Sequence, residues 1–148
     1  MKWNGAGRLC RSLLALKMRR NTELPDWVMD VAIDVCVGNG VALDELYCER
    51  LSRKAAHVRN IVVYIIRVIG GGQPSFPDLG VAFGKHHSTL VAGDRTIRAQ
   101  LKSTDFHSQI LNKRINAFLD NYYKRQGELE CHTGEALDLT RDTSQHIN

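Results

Sequence analysis

The 148-residue chain lacks several features that would assign it directly to a class of protein. Its four cysteines are scattered and form no CxxC pair, which argues against a zinc ribbon, a thioredoxin-type site and a secreted disulfide scaffold. Its most apolar N-terminal stretch, residues 9–18, is interrupted by Arg11 and Lys17, so it is too short and too charged to span a membrane. We therefore expect a cytoplasmic protein in a reducing compartment, with no membrane partner.

The sequence also lacks the motifs of common catalytic and cofactor sites. The glycines at 70–72 are not followed by Gly-Lys-Ser/Thr, so we expect a flexible helix terminator there and not a phosphate-binding nucleotide loop. His86 and His87 are adjacent, but we expect neighbouring side chains at one helix end to diverge, and no third metal ligand stands near them. No nucleophile, base and acid stand at a recognisable spacing. The sequence predicts no enzyme activity, no cofactor and no metal.

Charge is unevenly distributed along the chain, although the net charge is only +4. Residues 1–20 hold six basic side chains and no acid, and residues 23–49 hold seven acids and no base. Residues 50–102 then hold nine Lys or Arg against two acids, and residues 126–148 hold five acids and one Arg. A basic block inside a nearly balanced chain is typical of a surface that faces phosphates, although a solvated protein face has the same composition.

Apolar residues recur at helical spacing along most of the chain, which predicts an all-α fold: a compact bundle of five or six helices. The first helix is expected to have its cap at Asn21 or Thr22 and to end at Gly38. Residues 55–69 contain a β-branched run that is also compatible with a buried strand, but a length of about four turns favours a central helix. A final amphipathic helix is expected over residues 105–124.

Residues 75–90 have the pattern of two helices joined by a tight turn. Ser75 can accept a hydrogen bond from the amide of Asp78, and Gly84 can adopt the left-handed conformation that ends a helix. A second helix then begins near His87, and its N-terminal amides and dipole attract phosphate. A helix-turn-helix presents its recognition helix to the DNA major groove in this way, although an ordinary cap between two core helices has a similar pattern.

These segments resemble a known family. Residues 41–101 are similar to the C-terminal DNA-binding domain of the bacterial replication initiator DnaA, and the resemblance covers about 60–80 of the 148 residues when the helix from Pro25 is counted. The matching features are Ser52-Arg53-Lys54, Arg59 at the head of an apolar helix ending near Arg67, Phe76-Pro77-Asp78-Leu79-Gly80, Ala82-Phe83-Gly84 and Lys85-His86-His87-Ser88-Thr89-Leu90. The stretch from Gly84 stands here as GKHHSTL, against a family signature close to GRDHTTV. The resemblance implies a Trp-repressor-like helix-turn-helix that binds double-stranded DNA sequence-specifically.

The resemblance also implies roles for individual residues. Base contacts are implied for His86, His87, Ser88 and Thr89. The last three match a base-contacting His-Thr-Thr, whereas His86 replaces an acidic residue, so a different site preference is expected. Contacts to the DNA backbone or minor groove are implied for Arg50, Arg53, Lys54, Arg59, Asn60 and Lys85. Leu51 stands where the family has its minor-groove arginine, and Arg50 is the candidate substitute.

The expected organisation has four regions. Residues 1–21 form a weakly ordered basic extension, for which an amphipathic tail, a poor signal peptide or extra residues upstream of a start at Met18 are the alternatives. Residues 22–103 form the DnaA-like DNA-binding domain, and residues 104–126 form an additional amphipathic helix. Residues 127–148 form an acidic, disordered tail.

The chain has no Walker motif, so we do not expect it to load a helicase by itself as the initiator does. We expect binding at origin-type sites in replication initiation or its regulation, with the initiator or other replication proteins as partners of the C-terminal helix, in a nucleoid-associated location. One alternative is a stand-alone transcription regulator encoded by a phage or another mobile element. The other is a protein-interaction adaptor that does not bind DNA.

Overall fold

The structure, a computed structural model, describes residues 24–48 and 50–145, with side chains as far as Glu130. This part of the chain holds α-helices and one 3-10 helix but no strand, which confirms the predicted all-α class. The elements are α1 (Asp26–Gly38), a 3-10 helix (Leu43–Tyr47), α2 (Arg53–Ile69), α3 (Phe76–Phe83), α4 (His87–Lys102) and α5 (Phe106–Gln145). The predicted basic extension, residues 1–21, lies outside the described residues.

Helix α2 lies at the centre of the bundle and packs against α1, the 3-10 helix and α4. Its buried aliphatic residues are Val58, Ile61, Val62, Val63, Ile65 and Ile66. Burying one such side chain contributes about 1.5–3 kcal/mol, which exceeds the cost of less than about 1 kcal/mol for a β-branched residue in a helix. The β-branched run is therefore helical, as its length predicted, and the alternative strand is wrong.

Two serines begin helices with hydrogen bonds from their side chains. The Oγ atom of Ser52 accepts from the Ala55 amide at 3.1 Å, at the start of α2. The Oγ atom of Ser75 accepts from the Asp78 amide at 3.3 Å, as the sequence predicted, at the start of α3. Each bond satisfies one backbone donor that has no partner inside the helix.

The predicted cap of the first helix at Asn21 or Thr22 is wrong, because α1 begins later, at Asp26. Pro25 occupies the N-cap position with φ −59° and ψ 148°, and no side chain caps the helix. Proline fixes φ and has no amide hydrogen, so it is compatible with the start of a helix but interrupts one that arrives from the N-terminal side.

Residues 70–74 connect α2 to α3, and Arg67 holds them through hydrogen bonds. The triple glycine in this loop predicted a flexible helix terminator. The Nη1 atom of Arg67 donates to the carbonyl oxygens of Gly72 at 2.8 Å and Pro74 at 3.0 Å. Its guanidinium also lies 3.9 Å from the centre of the Phe76 ring. Gly71 and Gly72 have φ values of +63° and +94°, which glycine adopts without steric cost. One arginine therefore joins the end of α2, the loop and the start of α3.

The contacts divide the chain into two units, of which the second begins at Asp105. The sequence placed a boundary between residues 103 and 104. The second unit contains α5, which continues through Gly127 to Gln145, so the expected helix end near Lys124 and the disordered tail over 127–145 are wrong. A single glycine costs a helix about 1 kcal/mol, and the glutamate, leucine and alanine residues that follow are good helix formers.

Among the described residues, no helix has the length and hydropathy needed to cross a bilayer.

Candidate nucleic-acid interface

The turn between α3 and α4 depends on the left-handed conformation of Gly84, with φ 63° and ψ 32°, as the sequence predicted. Around it, the amide of Gly84 donates to the carbonyl of Val81 at 3.2 Å, and the amide of Lys85 donates to that of Gly80 at 2.9 Å. These bonds satisfy carbonyls that would otherwise be unpaired at the end of α3. The chain therefore reverses over Gly84, Lys85 and His86 before α4 begins.

Gly80 lets the start of α4 approach α3 closely, and the sequence analysis assigned it no role. A Cβ atom at this position would lie 2.7 Å from the Lys85 carbonyl oxygen and 3.2 Å from the His87 nitrogen. One feature of the sequence could have indicated this role. A glycine inside a short helix lowers the stability of the helix, so its presence there suggests that another part of the chain packs closely against it.

His86 is the N-cap of α4, a position where Asp, Asn, Ser and Thr are usual. Its Nδ1 atom accepts from the Ser88 amide at 3.3 Å and lies 2.7 Å from the Ser88 Oγ atom. The donor in the shorter contact is the Ser88 hydroxyl or the Nδ1–H group, depending on the tautomer of the imidazole. The two contacts tie the His86 ring to Ser88 at the start of α4.

The rings of His86 and His87 lie together, with centroids 4.3 Å apart and planes tilted by 34°. The expectation that these side chains diverge is therefore wrong. His86 has an extended backbone (φ −66°, ψ 140°) while His87 is already helical, so their side chains are not separated by the usual helical rotation. Within the described part of the chain, no group of three potential metal ligands is present.

The first turn of α4 brings together all four residues predicted to contact bases. The side chains of this set are exposed: His86, His87, Ser88 and Thr89. An open depression of about 400 Å³ lies beside them, lined in part by the two histidines and by Val81, which is 57 % exposed. Exposed polar groups at the N-terminus of a 16-residue helix can form hydrogen bonds with an anionic or polar partner.

Lys85 connects this turn to a distant part of the chain. Its Nζ atom donates to the carbonyl oxygen of Cys48 at 2.8 Å, across 37 positions of sequence. Cys48 immediately follows the 3-10 helix, and Arg50 stands two positions further on. The bond therefore holds the chain just before Arg50 near the turn that precedes α4.

The basic segment, Arg50 to Lys54, is exposed at three cationic positions: Arg50, Arg53 and Lys54. Arg53 and Lys54 are the first two residues of α2, whose first turn contains no acid. Cations at a helix N-terminus are disfavoured by the helix dipole, whereas an anion there is stabilised by the dipole and by the free amides. This arrangement suits a surface that an anionic partner covers.

Arg59 and Asn60 lie in a different environment. Arg59 is only 7 % exposed, its Nε atom has no hydrogen-bond partner, and burial lowers the pKa of its guanidinium. Its Nη2 atom donates to the Oδ1 atom of Asn60 at 3.4 Å. Asn60 in turn packs so closely on Gly93 of α4 that a Cβ there would overlap its amide. These positions offer little surface to a phosphate, and their predicted backbone contacts stay predictions.

Comparison of the chain with protein-family models and with curated protein sequences gave no match.

Proposed function

We propose that the chain binds double-stranded DNA sequence-specifically, with α3, the turn at Gly84 and α4 acting as a helix-turn-helix. One observation carries this proposal: four exposed polar side chains, His86 to Thr89, form the first turn of α4 beside a basic segment that Lys85 holds in place. Recognition helices of this motif contact base edges with their N-terminal residues. The resemblance to the DnaA domain supports the same arrangement.

The capping geometry suggests what each residue contributes. In the tautomer that has its proton on Nε2, His86 offers a donor, which suits the O6 or N7 atom of guanine. Ser88 offers an acceptor, which suits the amino group of adenine or cytosine, and the methyl group of Thr89 suits the thymine methyl. Arg50, Arg53 and Lys54 supply phosphate contacts, which contribute affinity but not discrimination. Lys85 is already bonded to Cys48 and positions the segment.

Salt dependence tests whether the chain binds DNA at all. If Arg50, Arg53 and Lys54 neutralise about three phosphates, the logarithm of the binding constant should fall with the logarithm of salt concentration at a slope of about −3. Fluorescence anisotropy with a labelled duplex at several salt concentrations gives this slope. No binding at low salt, or a flat response, would contradict the proposal and favour the adaptor alternative.

The variant His87→Ala tests whether α4 is the recognition helix. It should lose about 1–3 kcal/mol on the preferred site and little on a scrambled duplex, because only a base contact depends on sequence. Arg53→Ala is the matched control, and it should weaken binding to both duplexes equally. Equal losses on both duplexes for His87→Ala would show that another element contacts the bases.

Selection of bound duplexes from a random library supplies the preferred site and separates two biological roles. A repeated short box like those at replication origins supports a role in replication initiation or its regulation, in a nucleoid-associated location. A single promoter operator supports a transcription regulator.

A further inference from the structure

Helix α1 exposes acidic and aliphatic residues along one narrow face. We call it the α1 face, and it consists of Asp26, Asp30, Ile33 and Val37. At about 100° per residue these positions fall within an arc of about 60°. Val37 is 74 % exposed and Ile33 is exposed as well, whereas the opposite side of α1 is buried in the core. The two acids lie in the first half of the helix, and the two aliphatic residues lie in the second half.

Helix α5 exposes a second face, which carries the opposite charge. We call it the α5 face, and it consists of Phe106, Ile110, Lys113 and Ala117. Phe106 is 71 % exposed, and Ile110 is exposed as well. On this face the two large apolar residues come first, at the start of the helix, and the base follows them. The α5 face therefore combines apolar surface with positive charge, in the reverse order to the α1 face.

The two faces have the same spacing, because the members of each stand at positions i, i+4, i+7 and i+11 of the sequence. For two antiparallel helices, the register that sets Val37 opposite Phe106 also sets Ile33 opposite Ile110. The four exposed apolar side chains then cover one another. Single exposed apolar residues are ordinary on a protein surface, so the matched positions of these two pairs are the informative feature.

The charged residues fit the same register. It sets Asp30 opposite Lys113, and it sets Asp26 opposite the small side chain of Ala117, so an acid meets a base and no like charges face each other. The register also places the end of α1, whose last turn has no basic residue, beside the start of α5. In this orientation the negative end of one helix dipole lies next to the positive end of the other, which is favourable.

We propose that the chain associates with a second copy of itself, with the α1 face of one protomer packed antiparallel against the α5 face of its partner. In the single chain Val37 and Phe106 are both largely exposed, so each still lacks a cover. A second copy brings the complementary charge and the matching spacing, which an unrelated protein would have to reproduce in its own sequence. The contact involves neither the first turn of α4 nor the basic segment, so it does not depend on the proposed DNA binding.

Exchange of charge between the two faces tests the proposal. Asp30→Lys sets two bases against each other and Lys113→Asp sets two acids against each other, so each variant alone should associate at least about tenfold more weakly than wild type. When the two variants are mixed in equal amounts, each contact between the different chains again joins an acid to a base. The mixture should therefore associate nearly as strongly as wild type, which a misfolded variant could not do.

Sedimentation equilibrium of the full chain at low salt measures this association. Small interfaces are weak, so self-association is expected between about 1 μM and 1 mM, above the chain concentrations used to measure duplex binding. Glu128→Lys and Lys124→Asp are the matched controls, since they change the net charge equally at exposed positions of α5 beyond the contact, and they should associate as wild type does. A monomeric wild-type chain, variants that behave like their controls, or a mixture no stronger than either variant would overturn the proposal.

Cross-linking between chains tests the register. In a background with the native cysteines replaced by serine, or by alanine at the buried Cys36, a chain with Ile33→Cys is mixed with a tagged chain with Ile110→Cys and treated with a short bismaleimide. An efficient link between the tagged and untagged chains is expected. The matched control uses Tyr123→Cys in place of Ile110→Cys, an exposed position of α5 outside the register, and should react poorly. A yield no higher than the control, or an efficient link within one diluted chain that carries both Ile33→Cys and Ile110→Cys, would contradict the contact between copies.

Discussion

Gly84 is a residue at which backbone conformation alone decides what can replace it. A Cβ atom there would meet nothing within 4 Å, so space does not restrict the position, but φ is +63°. Gly84→Val should lower stability by about 1–2 kcal/mol and weaken specific DNA binding, while the circular-dichroism spectrum stays largely helical. Gly38→Ala is the matched control, since it also has open space but no positive φ, and it should melt no lower than wild type. A wild-type melt for Gly84→Val would mean that the turn has another conformation.

Cys36 should make the fold sensitive to alkaline pH. The side chain is 2 % exposed, and burial, followed by the charge of Glu45, raises the pKa of its thiol from 9.0 to about 11. The folded state therefore keeps the thiol protonated where the unfolded chain ionises it. This contribution, about 2–3 kcal/mol, is complete below pH 9 and is lost as the pH rises to about 11.

The measurement is the melting temperature between pH 7 and pH 11. Cys36→Ala should show a weaker decline than wild type, whatever its stability at pH 7, whereas the surface control Cys48→Ala should decline as wild type does. Some decline should remain in Cys36→Ala, because burial also raises the pKa of Tyr47. Identical slopes for Cys36→Ala and wild type would show that the thiol does not contribute.

At the scale of helices, signals within a few residues predicted most helix boundaries. The features that the sequence analysis missed depend on contacts between distant segments. The serine at 75, the glycine at 84 and the apolar spacing of α2 each act over a few residues, so they were visible in the sequence. The bond from Lys85 to the Cys48 carbonyl and the burial of Arg59 depend on how distant segments pack. A resemblance that transfers roles by position cannot show whether a side chain is buried.

The contact between α2 and α4 should depend on the small size of Gly93. A Cβ at Gly93 would overlap the side chain of Asn60, so Gly93→Ala should cost about 1–3 kcal/mol unless Asn60 moves away. The double variant with Asn60→Ala removes the obstructing amide and should recover part of that loss, which a double-mutant cycle by urea denaturation would measure. Gly127→Ala, in open space on α5, is the control and should be neutral or stabilising. Strictly additive losses would show that the two residues do not meet.

At the scale of the whole molecule, the placement of charge should matter more than its total. The pair Arg50→Ala and Arg53→Ala changes the net charge from +4 to +2, and so does the pair Lys113→Ala and Arg114→Ala on α5. The first pair should reduce the magnitude of the salt slope of duplex binding by about 2, because two phosphate contacts are lost. The second pair should change it little. Equal changes would mean that DNA responds only to net charge.

The clamp formed by Arg67 has a consequence for engineering this protein. Three consecutive glycines on a surface loop normally indicate a place where a protease cuts or where a tag can be inserted. Here the loop carbonyls of Gly72 and Pro74 are bonded to Arg67, and Phe76 packs on the same guanidinium. An insertion at this loop would separate α3 from α2 and displace the turn at Gly84 with it. The loop with the three glycines is therefore held in one conformation between α2 and α3, and a label or tag is better placed on another surface.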